Sequence, residues 1–173
     1  REWSRRMSYI EITKFCANKH EVRTGLHHPY RIGPWVYATN GHMIVRVPSE
    51  SAPHIPERDK TSQPSNPPAM FEKWLEQVQG EFLCLPTLPP SVTCPLCDGA
   101  GEAHGDECFN CFGSGFEFTY QPMGDGVGFS LHYLNLIAEL PQCRIRTNGL
   151  FAAAFIFDGG QGLLMPMFEK ARR

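Results

Sequence analysis

Four cysteines lie in two closely spaced pairs near the middle of the chain. Cys94 and Cys97 form one Cys-x-x-Cys pair, and Cys108 and Cys111 form the other, with ten residues between the pairs. Each pair can present two thiolates to one tetrahedral ion, and a spacer of this length lets the pairs fold face to face. The sequence therefore predicts one structural Zn²⁺ ion held by four thiolates. His104 could replace a cysteine, but four thiolates already complete the coordination shell.

Glycines follow both pairs at matching positions, Gly99 and Gly101 after the first and Gly113 and Gly115 after the second. Glycine lets the backbone turn tightly under a metal, including at positive φ. The duplicated pattern over residues 94–115 resembles the zinc-binding repeats of J-domain chaperones. That family has four repeats and two zinc ions, and the His-Pro-Asp sequence of its J domain does not occur in this chain. The resemblance therefore supports a metal site, not a chaperone activity.

A redox dithiol is the alternative interpretation of the cysteine pairs, although two matched pairs with glycines are more typical of a closed structural site. The other three cysteines, Cys16, Cys84 and Cys143, lie in apolar neighbourhoods and are predicted to be buried, reduced and inert. Seven cysteines with four of them paired are more typical of an intracellular metal-binding protein than of a secreted disulfide scaffold. A cytoplasmic location is expected.

The overall composition is that of a soluble globular protein, with 42% hydrophobic and 20% charged residues. The net charge is -2, so no global positive field attracts the chain to nucleic acid or to an acidic membrane. No apolar run approaches the roughly 20 residues that span a bilayer, and no signal peptide is expected. Any contact with DNA would need a local basic face or a larger assembly.

The predicted fold is α+β, with one domain made of two helix-plus-sheet halves and interrupted by a proline-rich loop and the cysteine module. The first half, residues 7–48, predicts a helix over 9–19 and a β-hairpin with strands at 35–39 and 43–47 around an Asn-Gly turn. The second half spans residues 123–168. Its predicted elements are a strand at 127–130, a helix at 131–140 ended by Pro141, and strands at 151–157 and 162–167.

The residues between the halves are interpreted as inserted. Residues 49–69 are rich in proline and polar residues and cannot bury enough surface to offset chain entropy, which predicts a mobile loop. Residues 70–85 predict a short amphipathic helix and a connection. The zinc-binding insertion is placed at 86–122.

Short motifs in both halves resemble those of bacterial sliding clamps, the DNA polymerase III beta subunit family. Residues 37–44 resemble the clamp signature Ala-Thr-Asp-Gly-His-Arg-Leu, with Asn40 for Asp and Met43 for Arg. Residues 127–134 and 162–167 resemble the family's Gly-Phe-Asn strand, Tyr-Leu-Leu helix and closing Met-Pro-Met strand. The resemblance implies a single clamp-like domain that packs one helix of each half against a curved sheet. Ordinary clamps have three such domains and no zinc module.

Clamp domains close a ring around duplex DNA, and basic residues on their inner helices contact phosphates without reading sequence. The resemblance thus implies a homo-oligomer that binds duplex DNA nonspecifically, although each basic residue could instead belong to a solvated helix face. The corresponding residues here are Lys14, Lys19, His20, Arg23 and His132.

Clamps also bind short peptides of polymerases and repair enzymes in an apolar pocket. The elements of that pocket come from neighbouring domains in the family, so a complete pocket is expected to need a second subunit. The alternative is that these residues are ordinary core strands and a hairpin tip. The residues that map to the pocket are Thr39, Gly41, His42, Ile44, Met165, Pro166 and Met167.

No nucleophile elbow, phosphate loop, paired-carboxylate cluster or His-Glu-x-x-His motif occurs, and the glycine-rich run 158–162 predicts a hairpin turn. We therefore expect a non-catalytic, clamp-like accessory protein of DNA replication, recombination or repair, acting through oligomerisation on DNA, a peptide pocket, or both. The alternative is an interaction module or inhibitor directed at a host replication or defence protein. A protein partner suits the cysteine module, because it is acidic and lacks Lys and Arg between residues 94 and 118.

Overall fold

The computed structural model describes residues 12–21, 24–58, 67–124, 126–149 and 152–167. The fold is α+β, as predicted. Within these ranges, neither of the two α-helices is long and apolar enough to cross a membrane. The helices are α1 (Pro67–Gln77) and α2 (Leu131–Ala138); the strands are β1 (Tyr30–Ile32), β2 (Trp35–Thr39), β3 (Met43–Pro48), β4 (Leu83–Cys84), β5 (Glu102–Ala103), β6 (Asp106–Glu107), β7 (Tyr120–Pro122), β8 (Gly128–Ser130), β9 (Arg144–Arg146), β10 (Ala153–Phe157) and β11 (Gly160–Leu164).

A seven-stranded sheet in the order β1-β2-β3-β11-β10-β9-β4 forms the centre of the molecule. Every neighbouring pair of strands is antiparallel. The central pair is β3 with β11, where Met43 lies opposite Leu164 and Arg46 lies opposite Gln161. The sheet therefore combines strands from the first and the last regions of the chain with β4, which comes from the residues 70–85 that were predicted to be inserted between them. Two small sheets, β5 with β6 and β7 with β8, lie outside it.

Both faces of the sheet are covered, so successive strand residues enter different cores. Met43 and Val45 pack in the cluster that contains Leu134 of α2. Ile44, between them, packs in the cluster that contains Phe71 of α1. The strands are consequently apolar along most of their length and do not alternate with polar residues.

Helix α1 is fixed to its face of the sheet by Arg46, which is only 4% exposed. The guanidinium carbon lies 4.3 Å from the ring centres of both Trp35 and Phe71, and the group pairs with the carboxylate of Glu72. A buried arginine is tolerated here because its charge is paired and its flat surface packs on aromatic rings. The contact joins a central strand to the helix.

The hairpin of β10 and β11 turns at Asp158 and Gly159, which agrees with the predicted turn in this glycine-rich run. Gly162 lies opposite Phe155, and a Cβ atom added at Gly162 would overlap the Phe155 ring and lie 2.6 Å from Ile44 O of β3. The glycine is therefore required, because the backbone oxygen of the neighbouring strand cannot move aside.

Within the described residues, the helix predicted over 9–19 is shorter than expected. Ile12 and Thr13 are helical, after which the chain turns, and residues 9–11 lie outside the described ranges. Ile12 and Phe15 are nevertheless buried in the core. The helix cannot continue because the backbone N–H of Ala17 donates to Leu26 O (2.8 Å), outside the helical pattern.

The prediction of a mobile loop over 49–69 is wrong for residues 49–58. Ile55 is 2% exposed and packs in the main core. Arg31 N donates to Pro56 O and Arg58 N donates to Arg31 O, both at 2.9 Å, so this segment is held along β1. Residues 59–66 lie outside the described ranges, and α1 begins three residues before the predicted helix.

The three unpaired cysteines differ in environment. Cys16 and Cys143 are half-buried, and burial raises the pKa of each thiol to about 12, which makes them unreactive as predicted. Cys84 was predicted to be buried but is exposed, because it lies in β4 at the edge of the sheet.

Candidate metal centre and adjoining cleft

The four predicted cysteine ligands converge in the structure. All four are buried, and their Sγ atoms lie within 4.8 Å of one another. Cys94 Sγ is 3.8 Å from Cys108 Sγ, and Cys97 Sγ is 3.7 Å from Cys111 Sγ. Thiolates bound to a tetrahedral ion at about 2.3 Å lie about 3.8 Å apart, whereas a disulfide needs about 2.05 Å. The geometry thus fits one metal ion and no disulfide bond.

The two halves of the metal centre are built alike. In the first, Gly101 N donates to Cys97 Sγ, and in the second, Gly115 N donates to Cys111 Sγ, both at 3.3 Å. Such N–H···S bonds stabilise the negative charge on a thiolate and fix the direction in which the sulfur points. The matched spacing of cysteine and glycine in the sequence is the local cause of this repeated turn.

Backbone hydrogen bonds also join one half of the centre to the other. Cys94 N donates to Gly115 O, and Cys108 N donates to Gly101 O, both at 2.9 Å. A Cβ atom added at Gly101 would lie 2.5 Å from Gly113 O. Only glycine permits this close approach, so the glycines let the two halves pack against each other as well as turn.

The thiols differ in their tendency to ionise. Asn110 Nδ2 donates to Cys94 Sγ at 3.2 Å and lowers the pKa of Cys94 to about 6. Burial raises the pKa of Cys111 to about 12. A metal ion bound at the centre of the four sulfurs would keep both as thiolates, since metal binding displaces the thiol protons.

The cysteine module contacts residues 18–20, near the start of the described chain, through polar groups. Asn18 Nδ2 donates to Phe112 O at 3.2 Å. Glu102 pairs with Lys19 and lies 3.2 Å from His20 Nε2, and these contacts, Lys19 first, hold the pKa of its carboxyl below the usual value. Lys19 and His20, two residues predicted to bind DNA, therefore face an acidic residue of the module.

The other residues predicted to bind DNA either contact neighbouring side chains of this chain or lie outside the described residues. Lys14 Nζ lies 3.0 Å from Glu139 Oε2, with both side chains exposed. His132 stacks on Phe116 with ring centres 4.3 Å apart, and burial lowers its pKa. Arg23 lies outside the described residues. The four of these residues that the structure describes thus do not form an unpaired basic face.

The two elements of the predicted peptide site, the turn between β2 and β3 and the Met-Pro-Met segment, adjoin each other within one chain. Because β11 runs antiparallel to β3, its end adjoins the turn before β3, and Met165 N donates to His42 O (2.8 Å). Thr39 and Gly41 shape that turn through a 3.1 Å bond from Gly41 N to Thr39 Oγ1. Ile44 is separated from them, since it packs under α1 on the other face of the sheet.

The end of the Met-Pro-Met segment lies against β8, where Met167 N donates to Gly128 O at 2.8 Å. Pro166 and Met167 are half-buried, and Met165 is exposed. Met167 and His42 both line a cleft between the sheet domain (the seven-stranded sheet with α1 and α2) and the cysteine module. This cleft brings together part of the predicted peptide site and residues that surround the second cysteine pair.

The cleft has a volume of about 1000 Å³. Its walls come from residues 13–21, the β2–β3 turn, residues 107–118 of the module, α2 and Met167. It therefore depends on how the module docks on the sheet domain.

Aromatic side chains form a continuous wall in the cleft. Ring centres are 5.7 Å apart between Phe112 and Phe118, and 6.5 Å apart between Phe118 and His42. Tyr133 continues the series at 5.7 Å from His42, and His132 follows at 5.4 Å from Tyr133. This wall could not be predicted from the sequence, because its rings come from three distant segments. The density of phenylalanine after the second cysteine pair was the available signal.

Comparisons with protein-family models, characterised proteins and solved structures give no match for this chain. The sliding-clamp resemblance remains a prediction from short motifs, and the site rests on the chain's own geometry.

Proposed function

We propose that this chain is a non-catalytic protein-interaction module that binds a segment of a partner protein in the cleft. The observation that carries the proposal is the cleft itself, about 1000 Å³ between the cysteine module and the sheet domain. A volume of this size is typical of ligand sites and holds several side chains. Phe112, which is 63% exposed, and the thioether of Met167 offer adaptable apolar contacts at its walls.

The metal proposed for the four cysteines is a single Zn²⁺ ion with a structural role. Four thiolates leave no open coordination position, as expected of a structural site and not of a catalytic one. The ion would hold the second cysteine pair, and with it one wall of the cleft, in position. Elemental analysis should find one zinc per chain, whereas iron in the same site would give visible absorption. A reducing compartment such as the cytoplasm would keep the thiols available.

A protein partner is favoured over nucleic acid by the charges around the cleft. Lys14, Lys19 and His20 face carboxylates of the chain itself. Phosphates approaching this side would also meet the acidic residues of the module, which disfavour an anionic partner. A replication, repair or defence protein remains the proposed class of partner.

Selection of peptides tests the proposal without presupposing the partner. Random dodecapeptides displayed on phage would be selected against the full, zinc-loaded chain, and the enriched peptides measured against Phe112→Ala and Phe109→Ala. Both residues are exposed on the same cysteine pair, but only Phe112 lines the cleft. We expect binding about tenfold weaker in Phe112→Ala and unchanged in Phe109→Ala. Equal binding to both variants, or no enriched peptide, would reject the cleft as the site.

A clamp-like accessory role on duplex DNA is the second candidate. The observation that favours it is that Ile12, Phe15 and Leu134, from the first segment and from α2, pack in one core on the same face of the shared sheet. This role requires a ring of several copies that stays on circular DNA and slides off linear DNA. Light scattering with and without DNA tests it, and a monomer that ignores DNA would reject it.

A further inference from the structure

The cleft carries an excess of negative charge. Glu21, Glu107 and Glu117 line it, and its one lysine, Lys14, is paired with Glu139. The neighbouring His132 also adds little positive charge near neutral pH, because burial lowers its pKa. An anionic segment would be repelled by these walls.

Glu117 is the carboxylate best placed to meet a ligand. It is half-buried at the cleft wall, and within the described ranges it has no ion-pair partner. Its own backbone is fixed, because Glu117 N donates to Val92 O at 2.8 Å. The backbone that carries the carboxylate is thus anchored to a neighbouring segment, and the carboxylate is available for an incoming cation.

The aromatic wall adds a second feature that suits a cation. Phe112 and Phe118 line the cleft together with Glu117, and their rings are in an edge-to-face contact. The face of an aromatic ring attracts a guanidinium or ammonium group, and the attraction increases where water is partly excluded. Arginine combines a flat cation that stacks on rings with donors for a carboxylate.

We infer that the cleft takes a basic segment of a partner protein, with an arginine or lysine side chain packed on the aromatic wall and paired with Glu117. The inference rests on the proposed function, because it takes the cleft as the binding site, and it adds the chemistry of the segment that occupies it.

The test uses a fluorescein-labelled hexa-arginine peptide and the matching hexa-citrulline peptide, which has the same shape without the charge. Fluorescence anisotropy with the full, zinc-loaded chain should show that hexa-arginine binds at least tenfold more tightly than hexa-citrulline. The affinity for hexa-arginine should fall as the NaCl concentration increases. The affinity should fall about fivefold in Glu117→Gln. It should stay within about twofold in Asp106→Asn, which removes an exposed carboxylate of the same module outside the cleft. Zinc content would be measured in each variant to establish that the module is folded.

Equal losses in Glu117→Gln and Asp106→Asn would mean attraction to the general surface charge and would overturn the inference, as would equal binding of the two peptides. The proposed function fails separately. Selected peptides that respond to Phe112→Ala but are not basic would leave the cleft as a binding site and refute its preference for cations. If neither hexa-arginine nor any selected peptide responds to Phe112→Ala, both proposals fail.

Discussion

The sheet domain and the cysteine module are held together by different interactions. The sheet domain buries large apolar side chains on both faces, among them Phe155, Leu134 and Phe71. The buried cluster of the module consists of the four cysteines, with Ala103 packed against them. Apolar burial stabilises the first part, whereas the second has too little of it and, with the proposed zinc site, would depend on bonds to the metal. The two parts should therefore fail under different treatments.

Loss of the metal should have the largest effect and should be confined to the module. The apparent binding free energy of a structural zinc site is about 10–16 kcal/mol, so Cys94→Ser or a strong chelator should unfold residues around the site. The sheet domain should keep its cooperative unfolding transition in urea, monitored by circular dichroism. Cys84→Ser, at an exposed cysteine, is the matched control. Full zinc occupancy in Cys94→Ser would show that the four-thiolate assignment is wrong.

A substitution in the core of the sheet domain should lower the stability of that domain and leave zinc binding unchanged. Leu134 is fully buried under the sheet, so Leu134→Ala should lower the free energy of unfolding by about 2–5 kcal/mol. Leu83→Ala, where the side chain is 60% exposed, should change it by less than about 0.5 kcal/mol. Zinc stoichiometry should stay at one per chain in both variants. Loss of zinc in Leu134→Ala would show that the module cannot fold without the sheet domain.

A smaller effect should follow from adding one methyl group where the two cysteine pairs meet. Gly101 and Gly105 both have positive φ, 74° and 87°, so alanine strains the backbone at either position. At Gly101 the added Cβ would also lie 2.5 Å from Gly113 O, whereas at Gly105 nothing lies within 4 Å. Gly101→Ala should therefore cost about 1–3 kcal/mol more of zinc affinity, measured by competition with a chelator. Equal affinities would contradict the close approach of the two backbones.

The smallest predicted effect is on pH dependence. Burial lowers the pKa of His132 in the folded chain below its usual 6.5, an effect that nearby Glu139 partly opposes. The unfolded chain therefore takes up the proton first, and the free energy of unfolding should fall as the pH drops below about 6.5. Urea unfolding from about pH 5 to 8 would be compared between the wild type and His132→Phe at equal zinc content. A difference between them that is independent of pH would contradict the predicted shift.

Features set by neighbouring residues could be predicted from the sequence. The four cysteines converge and the Asn-Gly turn forms because spacing and glycine chemistry act within a few residues. Features that depend on distant contacts could not be predicted. Ile55 lies among prolines and polar residues, and its burial follows from backbone bonds to β1. The cleft depends on contacts such as that between Asn18 and Phe112, 94 positions apart.

The pairing of β3 with β11 also has a consequence for how the chain folds. Met43 and Leu164 are separated by about 120 residues, so their pairing closes a long loop and gives the sheet a high contact order, which slows folding. The metal centre closes over a much shorter stretch, since its cysteine pairs are 14 positions apart. Metal bound early would shorten the loop between the strands by only about 17 residues, which lowers the closure cost by about 0.1 kcal/mol. The ion should therefore order its own module without changing the rate at which the sheet assembles.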